Sequence, residues 1–136
     1  MKEIALVGRP CHVYSEVLSA LHKRDVRVHL TNDDAFAGCK TVVVAYDDRQ
    51  TDAEANDYVR SSYPALLVAA RKAGVERVIV VGSPQSAAFF EGYLRRHPEL
   101  NGLYISTEGD FGGHVASEVV RPLGRGFVRG CAVLWF

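Results

Sequence analysis

The stretch that decides the fold is Lys2-Glu3-Ile4-Ala5-Leu6-Val7-Gly8, a short apolar run that ends at a glycine. A loop follows, and from Val13 onwards the apolar residues fall at helical spacing. Lys23 and Arg24 close this pattern, and cations suit the last turn of a helix. The residues at 26–30 then alternate between apolar and polar, as a strand does. The order predicts a strand, a glycine turn, a helix and a second strand.

The rest of the chain continues this alternation. Further strands are predicted at 41–46, 77–81 and 103–106, helices at about 53–72 and 87–96, a short helix at 114–121 and a last strand-like segment at 127–136. Strands that alternate with helices specify a parallel α/β sheet. We predict a single Rossmann-like domain over residues 1–136, with three layers and a mainly parallel sheet of five to six strands. The predicted strand order is 2-1-3-4-5 with the last strand at the edge.

Composition excludes several classes of partner. The chain has 16 basic and 16 acidic residues, so its net charge gives no electrostatic reason to bind nucleic acid or an anionic membrane surface. No apolar run reaches the roughly 18 to 20 residues that span a bilayer, and the N-terminus has no signal-peptide pattern. Cys11, Cys39 and Cys131 form no Cys-x-x-Cys pair, and the histidines have no ligand spacing. We expect a cytoplasmic protein without a metal site.

Three stretches carry a family resemblance. They are the opening strand, turn and helix of residues 2–28, the segment Gly38-Cys39-Lys40-Thr41-Val42-Val43-Val44-Ala45-Tyr46, and Ala70-Arg71-Lys72-Ala73-Gly74-Val75-Glu76-Arg77-Val78-Ile79-Val80-Val81-Gly82-Ser83. Together they resemble the atypical short-chain dehydrogenase/reductases, in particular the small NAD(P)-binding, NADH:flavin reductase-like proteins. The resemblance implies NAD or NADP as cofactor and hydride transfer to a flavin or quinone-like acceptor.

The chain also departs from the family pattern. The family turn has three glycines, but only Gly8 stands here, with Cys11 and Tyr14 at the other two positions. Cys11 narrows the approach of a phosphate, and Tyr14 puts a ring where the family has a hydrogen atom. One β-α unit between the second and the third predicted strand is missing, and no Tyr-x-x-x-Lys motif is present. The sequence therefore leaves open whether the protein is an enzyme.

Candidate ligand residues follow the predicted strands. A phosphate would meet the backbone N–H groups at the start of the first helix, and the predicted cofactor-binding residues are Gly8, Pro10, Cys11, His12, Val13, Asn32, Asp33, Tyr46 and Ser83. Each has a structural alternative. The glycine turn could merely join strand to helix, Asn32 and Asp33 could cap a helix instead of binding a ribose, and Ser83 could be a helix-entry residue.

Two functional hypotheses remain open. In the first, the chain binds NAD(P) and acts as an oxidoreductase whose cofactor and acceptor supply the chemistry. In the second, it is a nucleotide-sensing or protein-interaction module without catalysis; a mononucleotide- or CoA-binding domain is a further option. The apolar terminus at 132–136 either completes the sheet or forms the interface of a homodimer or higher homo-oligomer.

Overall fold

The sheet has the predicted order. The computed structural model describes residues 2–8, 11–31, 36, 38–45, 53–121 and 133–134. Within these ranges the strands are β1 Lys2–Gly8, β2 Val26–Thr31, β3 Thr41–Ala45, β4 Arg77–Gly82, β5 Leu103–Ser106 and β6 Val133–Leu134. They form one sheet in the order β2-β1-β3-β4-β5-β6, in which the first five are parallel and β6 pairs antiparallel with β5. The predicted Rossmann-like order and the edge position of the last strand are confirmed.

The terminal segment contributes to this sheet. Leu134 pairs with Tyr104, and Val133 pairs with Ile105. The alternative in which the terminus completes the sheet is therefore confirmed for these two residues. Residues 132, 135 and 136 lie outside the described part of the chain, and a homo-oligomer stays a prediction.

The helices of the described ranges are α1 His12–His22, α2 Ala53–Lys72, α3 Ala87–Leu94 and α4 Phe111–Val119. A proline inside the predicted helix at 53–72 is expected either to kink it or to split it. Helix α2 continues through Pro64, so the split does not occur, and the kink stays a prediction. Helix α4 begins three residues earlier than predicted. Its N-cap is Asp110, whose carboxylate accepts a hydrogen bond of 3.1 Å from the Gly113 amide. That bond satisfies one of the free N–H groups of the first turn. Gly112 and Gly113, which precede the predicted start at residue 114, are therefore part of the helix.

The sheet has a core on each face. Ile4 and Leu6 of β1 pack on the side of α1 and α4, whereas Ala5 and Val7 pack on the side of α2 and α3. Strands β3 and β4 are buried at every residue. After the first residue of each, Thr41 and Arg77, their sequences are apolar, as is typical of strands that are covered on both faces. Within the described ranges, no helix combines the length and apolarity needed to cross a bilayer.

The short connection between β2 and β3 contributes to one of these cores. Phe36 and Cys39 are buried and belong to the cluster that packs against α2. Burial raises the pKa of the Cys39 thiol, and the nearby charge of Glu3 raises it further. These two side chains therefore cover part of the sheet on the side of α2.

Helices α1 and α4 approach closely at Gly112. A Cβ atom at this position would lie 3.0 Å from the backbone oxygen of Glu16 and 3.3 Å from the Ala20 Cβ. We expect Gly112→Ala to lower the free energy of unfolding by about 1–3 kcal/mol, because the added methyl group must separate the two helices. The matched control is Gly92→Ala in α3, where no atom lies within 4 Å of the added Cβ. This change should stabilise the protein by roughly 0.5–1 kcal/mol through helix propensity. Urea unfolding of both variants tests the difference, and equal effects of the same sign would contradict it.

Candidate functional site

The candidate site lies at the carboxyl edge of the parallel sheet. Gly8 ends β1 beside Ala45 at the end of β3, and Gly82 ends β4 beside Ser106 at the end of β5. From β1 the chain proceeds to β2 on one side and then returns to β3 on the other. The carboxyl ends of β1 and β3 therefore flank the topological switch point, where open α/β sheets bind their ligands.

Helix α1 begins at this switch point with a cysteine cap. Cys11 has an extended backbone, and its Sγ accepts a hydrogen bond of 3.4 Å from the Tyr14 amide. The Ser15 amide donates to the Cys11 carbonyl over 3.0 Å. The amides of His12 and Val13 precede the first intrahelical bonds, so the helix itself provides no acceptor for them. His12 is exposed, as are Ser15 and Glu16 of the same turn, whereas Val13 is buried.

The side chain of Tyr14 lies against Gly8. A Cβ atom built on Gly8 would be 3.0 Å from the ring carbon Cδ2 of Tyr14 and would collide with the backbone oxygen of Ala45. Tyr14 is half-buried; burial raises the pKa of its phenol, and the neighbouring Cys11 raises it further. The space that the glycine leaves is therefore occupied by β3 and by an aromatic ring.

These contacts decide how a dinucleotide could fit. In the family that the sequence resembles, the pyrophosphate approaches the backbone at the glycine turn. Here the Tyr14 ring occupies space beside the glycine turn. The side chains present therefore do not fit a pyrophosphate in the family position. The exposed start of α1 at His12 keeps the backbone groups that suit a phosphate.

Ser83 follows β4 at the same edge and is held in a turn. Its hydroxyl donates to the Ser86 hydroxyl over 3.5 Å, and its carbonyl accepts a hydrogen bond of 2.5 Å from the Tyr104 hydroxyl. Only 5% of Ser83 is exposed. These bonds support the helix-entry role of this residue, since a short helical turn at 84–86 leads directly into α3.

The structure brings some of the predicted site residues together. Gly8, Cys11, His12 and Val13 meet at the end of β1, whereas Ser83 follows β4, which is separated from β1 by β3. Pro10, Asn32, Asp33 and Tyr46 lie outside the described residues, and their roles stay predictions. Among the residues that are described, no group of three or more His, Cys, Asp or Glu side chains could hold a metal ion.

Two contacts at this edge of the sheet could not be predicted from the sequence. The Cys11 cap has no conventional signal, because sulfur is a weak acceptor and an uncommon helix cap. The bond from Tyr104 to Ser83 joins residues 21 positions apart. Asp110, in contrast, is a residue type that favours helix N-caps, so the sequence does contain a signal for the start of α4.

Comparisons with known proteins support the architecture. No family model and no curated protein matches the chain. A solution NMR structure of a de novo designed Rossmann 2x3 fold protein is similar, with a TM-score of 0.60 and 11% sequence identity over 96% of this chain and 100% of the designed chain. At this identity the likeness concerns the fold alone. The chain therefore has a Rossmann-like α/β fold with five parallel strands in the order 2-1-3-4-5.

Proposed function

We propose that this protein is a nucleotide-binding module that holds an adenine nucleotide, with NAD or NADP as candidate ligands, at the carboxyl edge between β1 and β3. The observation that carries the proposal is the juxtaposition of the exposed α1 start at His12 with Gly8 at the topological switch point. Because the Tyr14 ring lies against Gly8, the phosphate is expected at the helix start instead of over the glycine turn.

The module is proposed to act by binding and not by catalysis. The sequence lacks the Tyr-x-x-x-Lys motif of the family that it resembles. Ser83 hydrogen-bonds Ser86, and Tyr104 hydrogen-bonds the Ser83 carbonyl, so these hydroxyls have structural partners. No residue of the described part is therefore assigned a step in hydride transfer. The resemblance keeps an oxidoreductase with a flavin or quinone-like acceptor as the alternative.

The test is a titration with AMP, NADH and NADPH, followed by calorimetry and thermal unfolding. A nucleotide at ten times its Kd should raise the free energy of unfolding by about 1.4 kcal/mol. For a chain of 136 residues, this corresponds to a Tm increase of about 5 °C. Oxidation of NADH in the presence of FMN, measured in parallel, would favour the oxidoreductase alternative over a binding module.

The informative variant is His12→Glu. A carboxylate at the start of α1 repels a phosphate there and should weaken binding about fivefold, whereas it suits the helix dipole and leaves the fold intact. Ser19→Glu introduces the same charge at an exposed position farther along α1 and should bind like the wild type. Equal affinities of the two variants, or no Tm change with any nucleotide at millimolar concentration, would contradict the proposal.

A further inference from the structure

We infer that β2 is the interface of a homodimer, in which the β2 strands of two copies of this chain pair antiparallel about a twofold axis and join the two sheets. Within the described ranges β2 lies at the edge of the sheet, with β1 on one side and no strand on the other. An edge strand presents a row of backbone N–H and C=O groups that can pair with another chain. Two features of β2 favour a second copy as this partner: an exposed apolar row and a self-complementary order of side chains.

The apolar row lies on the face of β2 that packs towards α1. Val26 and Val28 are half-buried and pack against the core cluster of β1, α1 and α4. Leu30 is paired with Leu6, a member of that cluster, and so belongs to the same face, yet it is 61% exposed. The core is therefore open at the outer side of β2, and apolar side chains of a neighbouring strand would remove this surface from water.

The sequence of β2 complements itself when a second copy runs antiparallel. With Val28 on the twofold axis, Val28 faces its own copy and Val26 faces Leu30 of the second copy. Because directly opposite residues of an antiparallel pair point to the same face, this register puts only apolar pairs on the face towards α1. On the other face, Arg27 lies opposite His29 of the second copy.

Glu3 of β1 supplies a negative charge on that other face. Its carboxylate oxygen lies 3.1 Å from His29 Nε2 and 3.8 Å from Arg27 Nη1. An axis at Arg27 would instead set two arginines directly opposite each other, which is destabilising. An axis at His29 would leave Val26 beyond the paired segment. The charges and the apolar row therefore favour the same register, with Val28 on the axis.

Val28→Cys tests this register directly. Residues that face each other in an antiparallel pair have Cα atoms about 4.5–5.5 Å apart, which is within the range that a disulfide can bridge. Air oxidation of Val28→Cys should therefore give a covalent dimer on a non-reducing gel. Arg27→Cys is the matched control, because residue 27 faces residue 29 of the second copy and should cross-link far less. The wild type, oxidised in parallel, gives the background from the native cysteines.

The mass in solution tests the interface without cross-linking. Light scattering should give about 30 kDa for the wild type, twice the chain mass of 14.9 kDa. Leu30→Lys places a charge opposite Val26 at two symmetric positions and should raise the dimer dissociation constant about tenfold or more. The chain should still fold, because Leu30 is largely exposed. Val120→Lys is the matched control, since it alters another exposed apolar residue, at the end of α4, and should leave the mass unchanged.

Three outcomes would overturn the inference. The first is a wild type that remains monomeric at millimolar chain concentration. The second is a dimer whose dissociation constant is the same in Leu30→Lys and Val120→Lys, which would place the interface on another surface. The third is cross-linking of Arg27→Cys that equals or exceeds that of Val28→Cys. If circular dichroism shows that Val28→Cys does not fold, the masses of the two lysine variants decide.

Discussion

Replacing Arg77 by methionine is expected to lower the free energy of unfolding by about 3–5 kcal/mol, because it leaves a buried carboxylate without its main partner. The Arg77 Nη2 lies 2.8 Å from Glu118 Oε2, and Nη1 donates to the Glu118 carbonyl over 2.6 Å. The side chains of the two residues are only 11% and 3% exposed. Urea unfolding measures the loss directly.

The pair joins two distant parts of the fold. Arg77 begins β4, and Glu118 lies in the last turn of α4, so the contact fastens this helix to the amino edge of the sheet. Arg121 lies 3.5 Å from the other carboxylate oxygen, and Lys2 donates to the Arg121 carbonyl over 3.2 Å. Burial lowers the pKa of Lys2, and the positive charge of Arg77 lowers it further.

Two controls define the source of the effect. Arg71→Met removes an arginine whose contact with Glu99 is 3.9 Å long and exposed on both sides, and it should cost less than about 1 kcal/mol. The double variant Arg77→Met/Glu118→Leu removes both buried charges and should recover most of the lost stability. A double variant that is less stable than Arg77→Met alone would contradict this explanation.

The architecture could be predicted because it depends on local patterns. The apolar runs that form β1, β3 and β4 are recognisable from composition, and each is followed in the sequence by polar residues or ends at a glycine. Parallel strands with short connections then allow few arrangements, so the order of the sheet followed from the right-handed crossover rule. Errors arose where a side chain altered a boundary, as at Asp110, whose cap started α4 before the glycines.

The site could be predicted only in part. The position of Gly8 at the end of β1 followed from the sequence, and so did the substitution of Tyr14 for a glycine of the family turn. Residue spacing does not predict the direction of the Tyr14 ring, because it depends on a contact with Gly8. Nor does it predict the helix cap at Cys11, because the acceptor there is a sulfur atom. The ion pair of Arg77 and Glu118 could not be predicted either, because the two residues are 41 positions apart in the sequence.

Gly8→Ala is expected to cost about 3 kcal/mol of stability, because the strands leave no room for a Cβ atom at residue 8. The added atom would collide with the backbone oxygen of Ala45, and β1 and β3 are paired at this point. The collision can be relieved only by opening the end of that pairing, since a backbone oxygen cannot rotate away as a side chain can. Thermal and urea unfolding measure the loss.

A second contact of the added Cβ atom allows two causes of the lost stability to be distinguished. The same Cβ atom would lie 3.0 Å from the Tyr14 ring, so Gly8→Ala/Tyr14→Ala removes the ring and keeps the collision with Ala45. We expect the double variant to remain at least as unstable as Gly8→Ala, because the backbone oxygen is the main obstacle. Gly109→Ala is the control. Residue 109 has a φ of 57°, which should cost an alanine about 1–2 kcal/mol of stability, but no atom lies within 4 Å of the added Cβ. Restoration of stability by Tyr14→Ala would show instead that Gly8 is required only for the ring.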